Sequence, residues 1–224
     1  MSWNASLTTS QIQAIFEEEV KSVGGKVTDS FNDDTLLFSR AVLPENKKVA
    51  RRDRVDKGVA IKAAWEDIWV HPYVFRRVCI NGAIVAQAVA TKHVMNTEHV
   101  SPVEMEIDLR ESVRMCIQEQ DFEGYAEKMK RARSLFFDPR QTLMPHLSQL
   151  PADQASEILE EAHRRFAKGA DESRYGLINA VTSLARDTRN PELRWSLETI
   201  GGALIVTSTP TPSGAGSGEL EVVR

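Results

Sequence analysis

The sequence predicts an α+β fold with an N-terminal helix, an antiparallel β-meander and a helical C-terminal half. Three observations point there. An apolar period near that of a helix runs through residues 8–22 and then stops; from Lys26 to about Val89 β-branched and aromatic residues are broken by turn formers; capped helical periodicity resumes at Ser101.

The first helix is carried by "TTSQIQAIFEEEVKSVGG". Thr8 or Thr9 caps it, Ile12, Ile15, Phe16 and Val20 share a face, and Gly24-Gly25 ends it. Glu17, Glu18 and Glu19 are consecutive, fan around the helix and predict a solvated face. The stretches "KVTDSFNDDTLLFSRAVLP" and "GVAIKAAWEDIWVHPYVFRRVCINGAIVAQAVA" predict three to five strands, punctuated at Asn32-Asp33-Asp34, Pro44 and Asn81-Gly82. The polar link between them, "ENKKVARRDRVDKG", reads as a mobile loop. Within "VFRRVCINGAIV", Val74, Val78 and Ile80 are expected to meet the helices, Cys79 to be a small buried hydrophobe, and Asn81-Gly82 to make a turn or bulge.

Ser101, Pro102 and Glu104 form a capping-box signature, and Met105, Leu109, Val113 and Cys116 hold one helical face behind it. Further helices are predicted near 121–135, 151–168, 173–188 and 191–206. Ala155, Ile158, Leu159, Ala162 and Phe166 trace the stripe of the second of these, Gly169 stops it, and Asn190-Pro191 opens the last. Gly201-Gly202 is read as a close approach of two helices. Residues 1–206 are taken as a single α+β domain, β-rich over 26–90 and helical over 100–206, and 207–224, rich in Gly, Ser and Pro, as a disordered tail.

At 224 residues, 42% hydrophobic and 27% charged, the composition is that of a globular chain, and a net charge of −4 leaves room for local clusters of either sign. Two cysteines are too few for a disulfide framework and suggest reduced thiols. With neither the blocks of a signal peptide nor a spanning apolar run, cytoplasmic residence and no membrane partner are expected.

The five histidines miss the spacings that place two imidazoles around zinc, and the glycine-rich and nucleophile-elbow motifs are missing too, so neither a metal nor another cofactor is expected. Glu66, Asp67 and His71, within six positions of one another, are the weakest of the candidate sites, which makes an enzyme the lesser reading. The basic residues carry more. In residues 47–57, Lys47, Lys48, Arg51, Arg52, Arg54 and Lys57 outnumber Asp53 and Asp56 by six to two, the asymmetry of a phosphate-contacting segment. A second run, "KMKRAR", adds Lys128, Lys130, Arg131 and Arg133. Arg76 and Arg77 are adjacent on a strand and point to opposite faces, and Trp65, Trp69, Tyr73 and Phe75 are near enough in sequence to stack on unpaired bases.

Two stretches, "DRVDKGVAIKAAWEDIWVHPYVFRRVCINGAIV" and "SRYGLINAVTSLARDTRNPELRWSLETIGGALI", resemble the central and C-terminal signatures of phage- and plasmid-like proteins of unknown function. Arg77, Val78, Cys79, Asn81 and Gly82 carry the "R.VC.NG" element, and the second stretch holds "NAVT"; the family's "NSE" step is "AAWE" here, with Glu66 matched. The resemblance implies residence on mobile elements, near genes of DNA metabolism and anti-restriction, without supplying an activity. At fold level the element order is also similar to the single-strand annealing proteins of phage recombination. The resulting expectation is a non-enzymatic nucleic-acid-binding protein of a phage or plasmid, single-stranded DNA favoured, serving replication or recombination as a homo-oligomer. Its contacts would be Lys47, Lys48, Arg51, Arg52, Arg54, Lys57, Arg76 and Arg77. The alternative is a protein-interaction factor that modulates a host defence or replication protein.

Overall fold

A computed structural model describes residues 7–65, 67–95, 101–134 and 137–207. Helix α1 (Thr9–Ser22) leads into a six-stranded antiparallel sheet, β1 (Lys26–Asn32), β2 (Leu36–Ala50), β3 (Asp53–Ala64), β4 (Asp67–Arg76), β5 (Asn81–Ile84) and β6 (Lys92–Met95). Helices α2 (Pro102–Glu119), α3 (Phe122–Ala132), α4 (Pro139–Leu143), α5 (Ala152–Lys168), α6 (Arg174–Asp187) and α7 (Pro191–Val206) follow. The α+β class and element order are those expected. Strands β1 to β5 are neighbours in chain order; β5 pairs with Tyr73–Arg76 of β4 and β6 with Asp67–Val70 on the same edge. Strand β6 and the short helical turns at 139–147 were not anticipated, since four- and five-residue elements carry no readable period.

The helix ends follow local chemistry. Thr8 is the first cap: its hydroxyl accepts from Gln11 N at 3.2 Å while Gln11 Oε1 accepts from Thr8 N at 2.9 Å. Ser101 and Glu104 repeat this at α2, at 3.2 and 3.0 Å. Gly24, at φ +75°, supplies the left-handed residue that ends α1.

One sheet face packs on α1 and α2. Leu37, Ala41, Val59, Ile61, Ile68 and Val70 meet Ile12, Phe16, Val20 and the predicted stripe Met105, Leu109, Val113 and Cys116. Burial pushes the Cys116 thiol well above its ordinary pKa, so it packs as an inert hydrophobe. Toward the far end of the sheet, Val49, Val55, Val74 and Ala83 join α3, α5, α6 and α7 in a second cluster. Glu19 departs from the solvated face expected of the Glu17–Glu19 run. It is buried and accepts from Arg110 Nη1 at 2.9 Å and Arg114 Nε at 2.6 Å, tying α1 to α2. Burial alone would raise its pKa, but the hydrogen bonds from Arg114 and Arg110 hold the carboxyl below the ordinary range.

The opposite face is crossed by α7. Trp195 stacks on Phe38 at 5.2 Å between centroids, and the buried Arg40 guanidinium lies 5.5 Å from the Trp195 ring. Arg40 Nε donates to Glu198, Arg40 Nη1 reaches Asp29 at 3.0 Å, and Arg194 bridges Asp29 at 2.9 Å and Glu198 at 3.3 Å. Gly201-Gly202 corrects the helix-pair expectation in part. A Cβ on Gly201 would meet Thr182 of α6 at 2.5 Å, but one on Gly202 would sit 1.9 Å from Ile84 O, so Gly202 admits a strand, not a helix.

No helix among the described residues is long and apolar enough to cross a membrane. The expected tail falls, apart from Thr207, outside the described residues.

Candidate nucleic-acid interface

The basic segment 47–57 is a hairpin, which corrects the expectation of a mobile loop. β2 continues to Ala50, Arg51 and Arg52 form the turn, and β3 returns from Asp53 with Lys47 opposite Val55 and Lys48 opposite Arg54. Cross-strand partners share a face, so the ladder sorts the cations by side. Lys48 and Arg54 stand together on the outer face, where Arg77 N donates to Arg54 O at 3.3 Å. Lys47, Val55 and Arg76 share the face toward the helices.

Half of the anticipated contacts are occupied within the fold. Lys47 pairs with Glu123 at 3.3 Å and Lys57 with Glu45 at 3.3 Å. Arg76 reaches Asp53 at 2.6 Å, and Arg77 Nε lies 2.8 Å from both Asp56 carboxylate oxygens. Burial alone would lower the Arg76 pKa, yet its bond to Asp53 raises it; the Asp56 bond raises that of Arg77. Lys48, Arg51, Arg52 and Arg54 are exposed and have no carboxylate partner among the described residues.

Arg51 and Arg52 open onto a wide cleft of about 580 Å³ together with Asp53 and Arg76. Its far wall is Arg133, at the C-terminus of α3, and Asp171 and Tyr175 at the start of α6. The floor is rigid. Tyr175 OH donates to Asp53 Oδ2 at 2.7 Å, the carboxylate oxygen that Arg76 also holds, and the Arg76 and Arg133 guanidiniums lie 5.2 and 5.8 Å from the Tyr175 ring. Burial raises the Tyr175 phenol above its ordinary pKa, so it remains a donor. Among the described residues Arg133 is held by a ring rather than a carboxylate, which leaves its charge uncompensated there. The fold therefore brings one member of the second basic run, Arg133, to the turn of the first, while Lys130 of the same run is paired with Glu127. Arg133 was visible in its run, but the parts of Tyr175 and Asp171, more than a hundred residues from the hairpin, had no local signal.

The "VFRRVCINGAIV" segment differs from expectation in three ways. The turn is Arg77–Ile80, so Asn81 and Gly82 are strand residues; Val78 and Ile80 are exposed, because they sit in that turn; Cys79 is half-buried, its Sγ 3.0 Å from Arg76 Nη1. Val74 is core as expected. Asn81 Nδ2 donates to Thr182 Oγ1 at 2.8 Å and Arg186 Nη1 to Cys79 O at 2.8 Å, so the "R.VC.NG" and "NAVT" segments meet as a structural joint between β5 and α6.

Of the aromatic candidates, Tyr73 is buried and Phe75 and Trp69 half-buried, while Trp65 is 79% exposed. Trp69 stacks on His93 at 3.9 Å. Asp67 is engaged by His93 at 2.6 Å and His71 by Thr91 at 3.2 Å, so Asp67 and His71 do not pair; Glu66 and His99 lie outside the described residues. No metal-holding cluster of His, Cys, Asp and Glu occurs among the described residues. No family model, curated protein or solved structure matches the chain.

Proposed function

We propose that this chain is a non-enzymatic nucleic-acid-binding protein that holds single-stranded DNA at the β2–β3 hairpin, in replication or recombination of a phage or plasmid. One observation carries it: Arg51, Arg52 and Arg133, drawn from two separate runs, border one cleft and none has a carboxylate partner among the described residues. Lys48 and Arg54 extend the cationic surface around the hairpin onto its outer face. Cations on two sides of a tight turn suit a strand that can bend around it. A duplex, with a persistence length of about 150 bp, meets one side only. Trp65 lies at the β3–β4 turn, the far end of β3 from Arg51 and Arg52. Of the aromatic candidates Phe75, half-buried opposite Asp56, is therefore the one near enough to offer ring surface to a base, and homo-oligomerisation multiplies such weak contacts.

Fluorescence anisotropy with single- and double-stranded oligonucleotides at about 50 and about 200 mM salt tests this. Five uncompensated cations imply roughly a hundredfold weaker single-strand binding at the higher salt. Equal affinity for the two DNA forms defeats the strand preference, and no binding at low salt defeats the whole reading.

The second reading, an interaction factor that modulates a host defence or replication protein, draws on Val103 and Ile107. They lie one helical turn apart on α2 and are 68% and 56% exposed. It predicts a stoichiometric protein partner that survives nuclease treatment and is released by V103D/I107D.

A further inference from the structure

Resting on the strand-binding reading, we propose that the cleft between the β2–β3 turn, Arg133 and Tyr175 is a pocket for a nucleotide bearing a terminal phosphomonoester. Charge is the first argument. Four arginines, Arg51, Arg52, Arg76 and Arg133, face two carboxylates, Asp53 and Asp171, which leaves an excess of two positive charges around the cleft. A terminal phosphate carries close to two negative charges near neutral pH, whereas a phosphodiester within a strand carries one. The cleft matches the former. Arg51, Arg52 and Arg133 are all exposed, approach from opposite walls and are free to close on a phosphate with fork-shaped hydrogen bonds.

The second argument is independent of the charge sum. Asp53 is 6% exposed; its Oδ2 takes both Arg76 and Tyr175, but its Oδ1 is buried and has no hydrogen-bond partner among the described residues. An orphaned carboxylate oxygen beside a cationic cleft calls for a donor. Inorganic phosphate at neutral pH is mostly an acceptor, but a nucleoside brings sugar hydroxyl and base N–H donors. The arginines thus recognise the phosphate and Asp53 the nucleoside that carries it. Asp171 differs in that its Oδ1 already accepts from Ser173 N at 3.0 Å and from the Ser173 hydroxyl.

Two sources carry this chemistry, the end of a strand and a free mononucleotide. The test compares one oligonucleotide with a 5′-phosphate, a 3′-phosphate or hydroxyls at both ends, by anisotropy on the full chain. Nucleoside 5′-monophosphate and inorganic phosphate serve as competitors. One phosphorylated end is expected to bind about tenfold tighter than the hydroxyl form, the loss of one charge-assisted contact. R51A/R133A is expected to abolish that preference while leaving hydroxyl-ended binding through Lys48 and Arg54 measurable. Competition by the mononucleotide but not by inorganic phosphate supports the part assigned to Asp53; equal competition removes it. A free mononucleotide that binds as tightly as the phosphorylated strand identifies the free form as the ligand. Equal affinity for all three ends overturns the pocket and leaves the strand reading intact, whereas no binding to any oligonucleotide overturns both. Thermal unfolding of R51A/R133A, expected to match the parent, guards against loss of fold.

Discussion

Two arginine–carboxylate centres sit on the same sheet and behave in opposite ways. Under α7, Arg40 and Arg194 face Asp29 and Glu198, two charges of each sign. At the hairpin tip, among the described residues that line the cleft, Arg76, Arg51, Arg52 and Arg133 face Asp53 and Asp171. The Arg40–Glu198 pair at the heart of the first centre is buried and ring-covered, and the charges of that centre balance in joining sheet to helix. The second has a similar paired core, Asp53 with Arg76, but cations remain around it. Residue type does not separate a structural ion pair from a ligand site; the local balance of charge and access to solvent do.

The largest expected effect would break the first centre. Arg40→Ala leaves Glu198, whose pKa burial already raises, without its main partner, and should cost about 3–5 kcal/mol in urea unfolding. R40M/E198L should recover most of that loss; failure to recover would mean that the ion pair itself, rather than avoidance of a stranded charge, holds α7.

Next to that centre, His71 lies 5.8 Å from Trp195. Burial, with a smaller push from Lys62, lowers its pKa from 6.5 to about 4. The unfolded chain therefore takes up a proton that the folded chain refuses. Stability should fall as pH drops from about 6.5 to about 4, by roughly 3 kcal/mol in all, and the fall should be flatter in His71→Asn. Identical pH profiles for the two proteins would remove His71 from the first centre.

The open centre should respond in affinity and not in stability. R51A/R52A/R133A should lower the magnitude of the salt slope of single-strand binding by about 2 and leave the unfolding midpoint in place. A drop in midpoint would make those arginines structural like Arg40. The smallest effect concerns the turn beside the cleft, where Ile80 holds φ +50° with its side chain 69% exposed. Ile80→Gly should relieve left-handed strain and stabilise by about 1 kcal/mol in urea unfolding, without altering strand affinity.

The helices were largely legible because their signals are local. Thr8 and Ser101 with their partners three residues on, Gly24 and Asn190-Pro191 mark ends that depend on a few adjacent residues. The hairpin at Arg51-Arg52 was not, because a run of charged residues looks like a loop until the strands pair. Glu19 and Glu18 are neighbours of one type, yet one is buried and one exposed, decided by where α2 puts Arg110 and Arg114. Cys79 and Val78 looked like core because their neighbours are apolar; the turn at 77–80 turns Val78 outward and leaves Cys79 half-exposed.

By itself the sequence determined the α+β class, the helix stripes and the existence of two basic runs, since these follow from composition, period and caps read over a few residues. Which cations are neutralised, and which converge, was decided by tertiary structure alone. Arg76 meets Asp53 across 23 positions and Tyr175 meets it across 122, and electrostatic pairing depends on distance in space, which the chain sets only once the sheet and helices have packed.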